Sequence, residues 1–246
     1  MFSHHTGLDS NLDQIANRNA LLLYNKISEQ YYDCEILERV KSLVPRHILQ
    51  LNEQEDDMTK SLLGWFKNDF MSWTPKDPIC KQCMNEGRGN IPLQVQIMIG
   101  TSWKSRSMEI HRCNKCDYEY TFPRYGDILK IAETRTGRCT EWSMLFGAIM
   151  NALCIETRIV HDFLDHCWNE TIIHGEWVHI DSAIAYPISF NHPHYYEENW
   201  GKEYQYVLAF SRDGGVEDVT QRYTKDLNAV TKRTTKNKER CIFFHD

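Results

Sequence analysis

Between residues 139 and 153, apolar side chains recur at Trp142, Leu145, Phe146, Ile149, Met150 and Leu153, and these intervals of three and four predict a helix. After a turn around Ile155 and Glu156 the pattern changes. The stretch 157–163 is dense in β-branched and aromatic residues and predicts a strand, with further strands expected over 166–173 and 176–181. Upstream, residues 10–72 read as helical: Ile15, Leu21, Leu22, Leu23, Tyr24 and Ile27 form one apolar face, and Ile36, Leu37, Val40, Leu43 and Val44 a second that stops at Pro45. A third follows at Leu62, Leu63, Trp65, Phe66 and Phe70. Short strands are expected over 93–98, 107–112 and 118–122, a longer one over 202–210, a strand or turn over 217–223, and a loop over 186–196. Helices first and strands later predict an α+β fold.

The expected organisation is one compact unit: a helical layer over 1–75, a β-lobe over 76–125, a core over 126–225 and a basic tail over 226–246. At 246 residues with 41% hydrophobic composition, the chain can bury one substantial core. Its net charge of -6 argues against a general nucleic-acid binder. The opening residues lack the basic and apolar regions of a secretory signal, and no apolar run reaches membrane-spanning length. Nine cysteines, an odd number, fit metal and catalytic use better than a disulfide framework, so the expected location is cytoplasmic or nuclear.

Two CxxC pairs, Cys80 with Cys83 and Cys113 with Cys116, can close four thiolates on one ion. Zinc in a closed, structural site is the expectation, and it would pin the β-lobe against the helical layer and leave a cleft beside the core. His192 and His194 lack a thiol partner and read as surface residues. Cys154 and Cys167, flanked by apolar residues, read as small buried hydrophobes. The basic run through Lys232, Arg233, Lys236, Lys238 and Arg240 reads as a solvated helix or tail, with docking onto an acidic partner as the alternative.

Candidate chemistry centres on the stretch 137–181. Cys139 stands at the start of the predicted helix, where free N–H groups and the helix dipole favour a thiolate. His166 and Asp181 fall on successive predicted antiparallel strands and can lie side by side. A cysteine, a histidine and an aspartate can serve as nucleophile, base and the base's orienter.

The local sequences GRCTEW at 137–142, DHCWNE at 165–170, EWVHID at 176–181 and NWGKEYQYVLAFSRDGGVEDVTQRY at 199–223 resemble the cytosolic peptide:N-glycanase family of the transglutaminase-like superfamily. The similarity covers about residues 30–225. It implies a transglutaminase-like, papain-like cysteine hydrolase core with N-terminal helices and a small zinc-binding β-lobe. It also implies an enzyme that removes N-linked glycans from misfolded glycoproteins, with Cys139, His166 and Asp181 as its triad. Sugar-binding positions implied by the resemblance are Trp73, Arg158, Asp165, Trp168, Glu170 and Trp177, each of which could instead be a packing residue. The chain departs from the family at Thr140, Met144 and Ile184, where a glycine, a small polar residue and a glutamate are usual.

Implied partners are a misfolded N-glycoprotein substrate and either a proteasome shuttle factor with a ubiquitin-like domain or a segregase ATPase. The chain's length is expected to leave no room for the adaptor and sugar-binding domains of larger family members, so docking would use the core itself, with the N-terminal helices as one candidate surface. Two alternatives stand: a transglutaminase or protease with the same triad, and a non-enzymatic member that recognises damaged DNA.

Overall fold

The computed structural model describes residues 18–51, 55–76, 78–84, 94–96, 107–113 and 115–242. The predicted central helix is α6 (Cys139–Ala152), and every residue from Thr140 to Ala152 is buried. A helix enclosed on all sides needs partners all round, and the chain supplies them from both directions. From the N-terminal side come α1 (Arg18–Glu29), a 3-10 turn (Gln30–Tyr32), α2 (Cys34–Lys41), α3 (Arg46–Leu49) and α4 (Glu55–Trp65), which runs into a π-helical turn (Phe66–Phe70). Pro45 precedes α3, so the break expected there is a corner between helices. Ile15 of the first apolar face lies outside the described residues.

The three expected core strands are β6 (Thr157–His161), β7 (Cys167–Ile173) and β8 (Glu176–Ile180). They belong to an antiparallel five-stranded sheet in the order β10-β9-β6-β7-β8, completed by β9 (Leu208–Phe210) and β10 (Val216–Asp218). β9 is shorter than the sequence pattern predicts. Residues 202–207 leave the sheet because Lys202 turns to Asp162 and Asp165, while Tyr204 and Val207 enter a second apolar cluster with Trp168, Tyr196, Tyr223 and Val230. The sheet is thus covered on both faces, by α6 on one and on the other by this cluster, which includes residues of α7 (Tyr195–Trp200), α8 (Thr220–Tyr223) and α9 (Leu227–Ile242). The basic run predicted as a helix or tail lies within α9. Cys167 is buried as expected, whereas Cys154 is exposed, because the chain turns there in the left-handed region to leave α6.

A separate antiparallel sheet is formed by β2 (Gln94–Gln96), β3 (Ser107–Arg112) and β4 (Glu119–Arg124), with Cys113 and Cys116 between β3 and β4 and Cys80 and Cys83 on a turn that precedes β2 in the chain. The ends of the predicted strand over 93–98 lie outside the described residues. Two arginines fasten this lobe to the start of α6. Glu109 of β3 binds Arg138 in bidentate fashion, at 2.9 and 2.7 Å, and also meets Arg124 at 3.3 Å. Arg124 in turn forks onto Glu141 in the first turn of α6, at 2.8 and 3.1 Å, and Glu141 caps the Arg138 amide at 3.0 Å. A short parallel pair, β1 (Ser72–Trp73) with β5 (Thr136–Gly137), and α5 (Ile128–Thr134) complete the approach to α6.

Gly147 lets Tyr31 reach α6: a Cβ there would stand 2.5 Å from the Tyr31 Oη, which donates to the Met144 carbonyl at 3.2 Å. Gly64, within α4, has no atom within 4 Å of the corresponding position. Gly147→Ala is therefore expected to cost about 1–3 kcal/mol in denaturant unfolding, while Gly64→Ala should add about 0.5–1 kcal/mol through helix propensity alone. Equal effects for the two substitutions would contradict this packing.

Candidate active site

Cys139 is the first residue of α6, His166 immediately precedes β7, and Asp181 immediately follows β8. Pairing of β7 with β8 sets Asn169 opposite Ile180, which brings the end of one strand to the start of the other and places Asp181 beside His166. His166 Nε2 lies 2.8 Å from Asp181 Oδ2. That contact leaves Nδ1 available to Cys139, whose sulfur lies 3.8 Å from the Asp165 carbonyl oxygen. The loop ahead of His166 is held by Asp162, whose Oδ1 accepts from the amides of Leu164, Asp165 and His166 at 2.9, 3.1 and 2.9 Å. Lys202 clamps the same loop, reaching Asp162 Oδ2 at 2.8 Å and also bonding Asp165.

The electrostatics favour a charged pair. A hydrogen bond from Cys167, opposed by burial and reinforced by the hydrogen bond and charge of His166, holds the Cys139 thiol well below its usual range. Burial pulls the His166 imidazolium down, but the charge and hydrogen bond of Asp181, with the contribution of Cys139, outweigh it and raise the pKa to about 10. Burial would raise Asp181, yet the charge and hydrogen bond of His166 dominate and keep it below the ordinary carboxylate range. At neutral pH the arrangement can therefore hold a thiolate against an imidazolium, the ready state of a cysteine nucleophile.

Cys139 and His166 line a cleft of about 880 Å³ bordered by residues of the helical layer, the lobe and the core, among them Lys67, Trp73, Arg124 and Trp200, whereas Asp181 is buried and meets it only through His166. Of the six sugar-binding positions implied by resemblance, Trp73 and Asp165 line this cleft. Arg158, Trp168, Glu170 and Trp177 do not. Side chains alternate along β7, so Cys167 and Asn169 face α6 while Trp168 and Glu170 face the second apolar cluster. There Glu170 is bound by Arg158, Arg222 and Tyr223, and the Arg158 guanidinium lies 3.9 Å from the Trp177 ring centre. Of the three departures from the family, Thr140 and Ile184 line the cleft and Met144 is core.

Sequence reasoning missed Tyr196, which donates to Asp181 Oδ2 at 2.8 Å, together with Lys202, Asp162 and the arginine network. The spacing of Asp162, four residues before His166, is the one local signal among these. Apart from the Glu141 cap on the Arg138 amide, the others link residues 15 to 40 positions apart.

In the lobe, the sulfurs of Cys80, Cys83, Cys113 and Cys116 all lie within 4.8 Å of one another, with 3.5 Å between Cys80 and Cys116 and 3.6 Å between Cys83 and Cys113. A tetrahedral ion at about 2.3 Å from each thiolate needs sulfur–sulfur edges of about 3.8 Å, so the four residues fit a metal ion. Both pairs sit on tight turns that close through left-handed residues, Met84 and Asp117, whose amides bond back to Cys80 and Cys113 at 2.8 and 2.9 Å. His192 takes no part in such a group; its ring bonds the Phe190 carbonyl.

Residues 102–182 match the transglutaminase-like superfamily, and residues 165–242 match the Rad4 transglutaminase-like domain. Curated relatives named peptide-N(4)-(N-acetyl-beta-glucosaminyl)asparagine amidase include that of Caenorhabditis briggsae, 35% identical over 82% of this chain and 34% of its own length. Those of Yarrowia lipolytica and Saccharomyces cerevisiae are 36% and 40% identical over 73% and 70% of this chain, and over 50% and 47% of their own lengths. Among solved structures, a Rad4-Rad23 complex bound to a 6-4 photoproduct UV lesion aligns with a TM-score of 0.49 and 15% identity, covering 91% of this chain and 52% of that one. The chain spans half or less of the length of the amidases it matches. Shared sequence over most of its residues, on an α+β core with a four-cysteine lobe, places the chain in the transglutaminase-like superfamily, as a relative of the peptide-N(4)-(N-acetyl-beta-glucosaminyl)asparagine amidases.

Proposed function

We propose that this chain is a cysteine-dependent amidase that hydrolyses the side-chain amide of an N-glycosylated asparagine, releasing the glycan and leaving aspartate. The observation that carries this reading is the placing of Cys139 and His166 on one large cleft with Asp181 bonded to His166, in a chain 35–40% identical to curated amidases. Cys139 is the nucleophile, His166 the acid and base, and Asp181 the orienter. The Cys139 thiolate attacks the amide carbonyl carbon, and the N–H of Cys139, at the first position of α6, faces the developing oxyanion. His166 then delivers its Nδ1 proton to the departing glycosylamine. A water molecule, deprotonated by His166, hydrolyses the thioester and frees the carboxylate. Throughout, Asp181 holds His166 in the tautomer that keeps Nδ1 toward the sulfur. The bond broken is an amide, so no carboxylate pair flanking a sugar linkage is required.

Trp73 is placed to stack on a sugar ring, being 46% exposed at the cleft and 6.2 Å from the Trp142 ring, and Trp200 is exposed there to the same extent. A cleft bordered by a lobe suits an extended glycopeptide better than folded protein, consistent with misfolded glycoproteins as substrates in ER-associated degradation. A shuttle factor with a ubiquitin-like domain and a cytoplasmic or nuclear location belong to the same proposal. No described helix is long and apolar enough to cross a membrane.

Zinc is the proposed occupant of the four-cysteine site, because an all-thiolate tetrahedral donor set suits it. Bound there by Cys80, Cys83, Cys113 and Cys116, it would supply folding energy and offer no open position for catalysis.

Incubation of a denatured high-mannose glycopeptide with the protein should convert the glycosylated asparagine to aspartate and release the intact glycan, as read by mass spectrometry. Cys139→Ala should lower the rate by about 10,000-fold or more. Conversion unaffected by that substitution, or none by the folded wild type, would overturn the proposal. Removing the metal with a chelator should lower the melting temperature by about 10 °C or more and loosen the lobe. An unchanged melting temperature after the loss of one zinc per chain would contradict the structural role.

A further inference from the structure

Asp181 Oδ2 receives two side-chain hydrogen bonds, from His166 Nε2 and from Tyr196 Oη, each at 2.8 Å. Tyr196 Oη also lies 2.7 Å from His179 Nε2. The direction of the protons is set at the far end of this chain of contacts. The backbone N–H of His192 donates to His179 Nδ1 at 3.2 Å, so Nδ1 is the bare nitrogen and Nε2 carries the hydrogen. Burial, the largest influence, pushes the His179 pKa down to about 3, and its ring is neutral at physiological pH. His179 Nε2–H therefore donates to Tyr196 Oη, and the single phenolic hydrogen is left to point at Asp181. Both side chains are buried, at 3% and 0% exposure.

We propose that Tyr196 and His179 are positioning residues of the triad: a donor chain anchored on the His192 amide that shares the charge of Asp181 and limits how tightly this carboxylate holds the His166 proton. The argument rests on the triad reading above for its catalytic consequence. A dry carboxylate facing only an imidazolium would bind its proton too strongly for His166 to serve as an acid. A second donor on the same oxygen draws off part of that charge, and the donor behind it polarises the phenol further.

Neighbouring charges do not replace this effect. Lys202 is tied to Asp162 and Asp165; Lys67 reaches Asp181 through its charge alone, its Nζ being given to the Ala183 carbonyl at 2.7 Å, and the Ala183 amide donates to the other oxygen, Oδ1, at 2.9 Å. His161 is kept neutral chiefly by burial, its pKa pushed down to about 4. The Cys139 sulfur meets the Asp165 carbonyl at 3.8 Å and that of Cys167 meets Thr140 at 3.5 Å, so neither bonds Asp181. His192 presents its amide to His179 and turns its own ring to the Phe190 carbonyl.

The test is an NMR titration of histidine-labelled, metal-loaded full chain, following the ring nitrogens of His166. Tyr196→Phe keeps the ring packed on Trp168 and should raise the His166 pKa by about one unit or more. His179→Leu should raise it by a smaller amount, and His179→Gln, which retains an N–H donor near the same place, should restore the wild-type titration. A pKa unmoved or lowered in Tyr196→Phe or His179→Leu, with only thermal stability changed, would overturn the proposal. Should Tyr196→Phe fail to fold, the contrast between the two His179 variants decides by the same readout. Glycopeptide turnover is measured separately, so failure of the amidase reading and failure of this one give different results.

Discussion

Asp181 is fully enclosed, and an ionised carboxylate taken out of water costs several kcal/mol unless its oxygens are paired. Here they are: Oδ2 accepts from His166 and Tyr196, and Oδ1 accepts from the Ala183 amide at 2.9 Å. Once the carboxylate is stabilised, His166 becomes cationic, and a cationic His166 makes the Cys139 thiolate favourable. The same groups link stability to pH. The raised pKa of His166 means that its pairing supports the fold fully below about pH 6.5 and loses that support as pH climbs through about 10. The depressed pKa of Asp181 means that its support is present above about pH 4 and lost as pH falls through the folded value.

This charge relay needs a rigid seat at the start of α6. The helix is enclosed by the N-terminal layer and the sheet, and its first turn is fastened to the cysteine lobe through Glu109, Arg138, Arg124 and Glu141. Buried ion pairs of this kind add little net stability, but breaking one leaves an uncompensated charge. The four-cysteine lobe and Cys139 are therefore joined by a short path of charged side chains. The cleft runs along this seam, with lobe residue Arg124 on one side and core residue Trp200 on another.

Much of this was legible in local patterns. The spacing from Trp142 to Leu153 located α6, the two CxxC pairs located the cysteine cluster, and β-branched runs located β6, β7 and β8. What local patterns do not carry is which face of the sheet a residue occupies. Trp168 and Glu170 stand on the strand that His166 opens, yet alternation sends them to the opposite side of the sheet from α6. The strand expected over 202–210 shrank to three residues because Lys202 and Tyr204 find better partners outside the sheet. Tyr196 carries no sequence signal, since its partner Asp181 is fifteen residues away across a loop.

The central claim is that Cys139 exists as a thiolate paired with imidazolium in the resting protein. Its most direct measurement is the ultraviolet thiolate absorbance of the metal-loaded wild type minus that of Cys139→Ser, followed as a function of pH. The account predicts a difference already present at about pH 6 and flat through neutrality, because the thiol is held well below its ordinary value of about 8.5. A difference that emerges only as pH rises through about 8.5 would show an ordinary thiol and contradict the account.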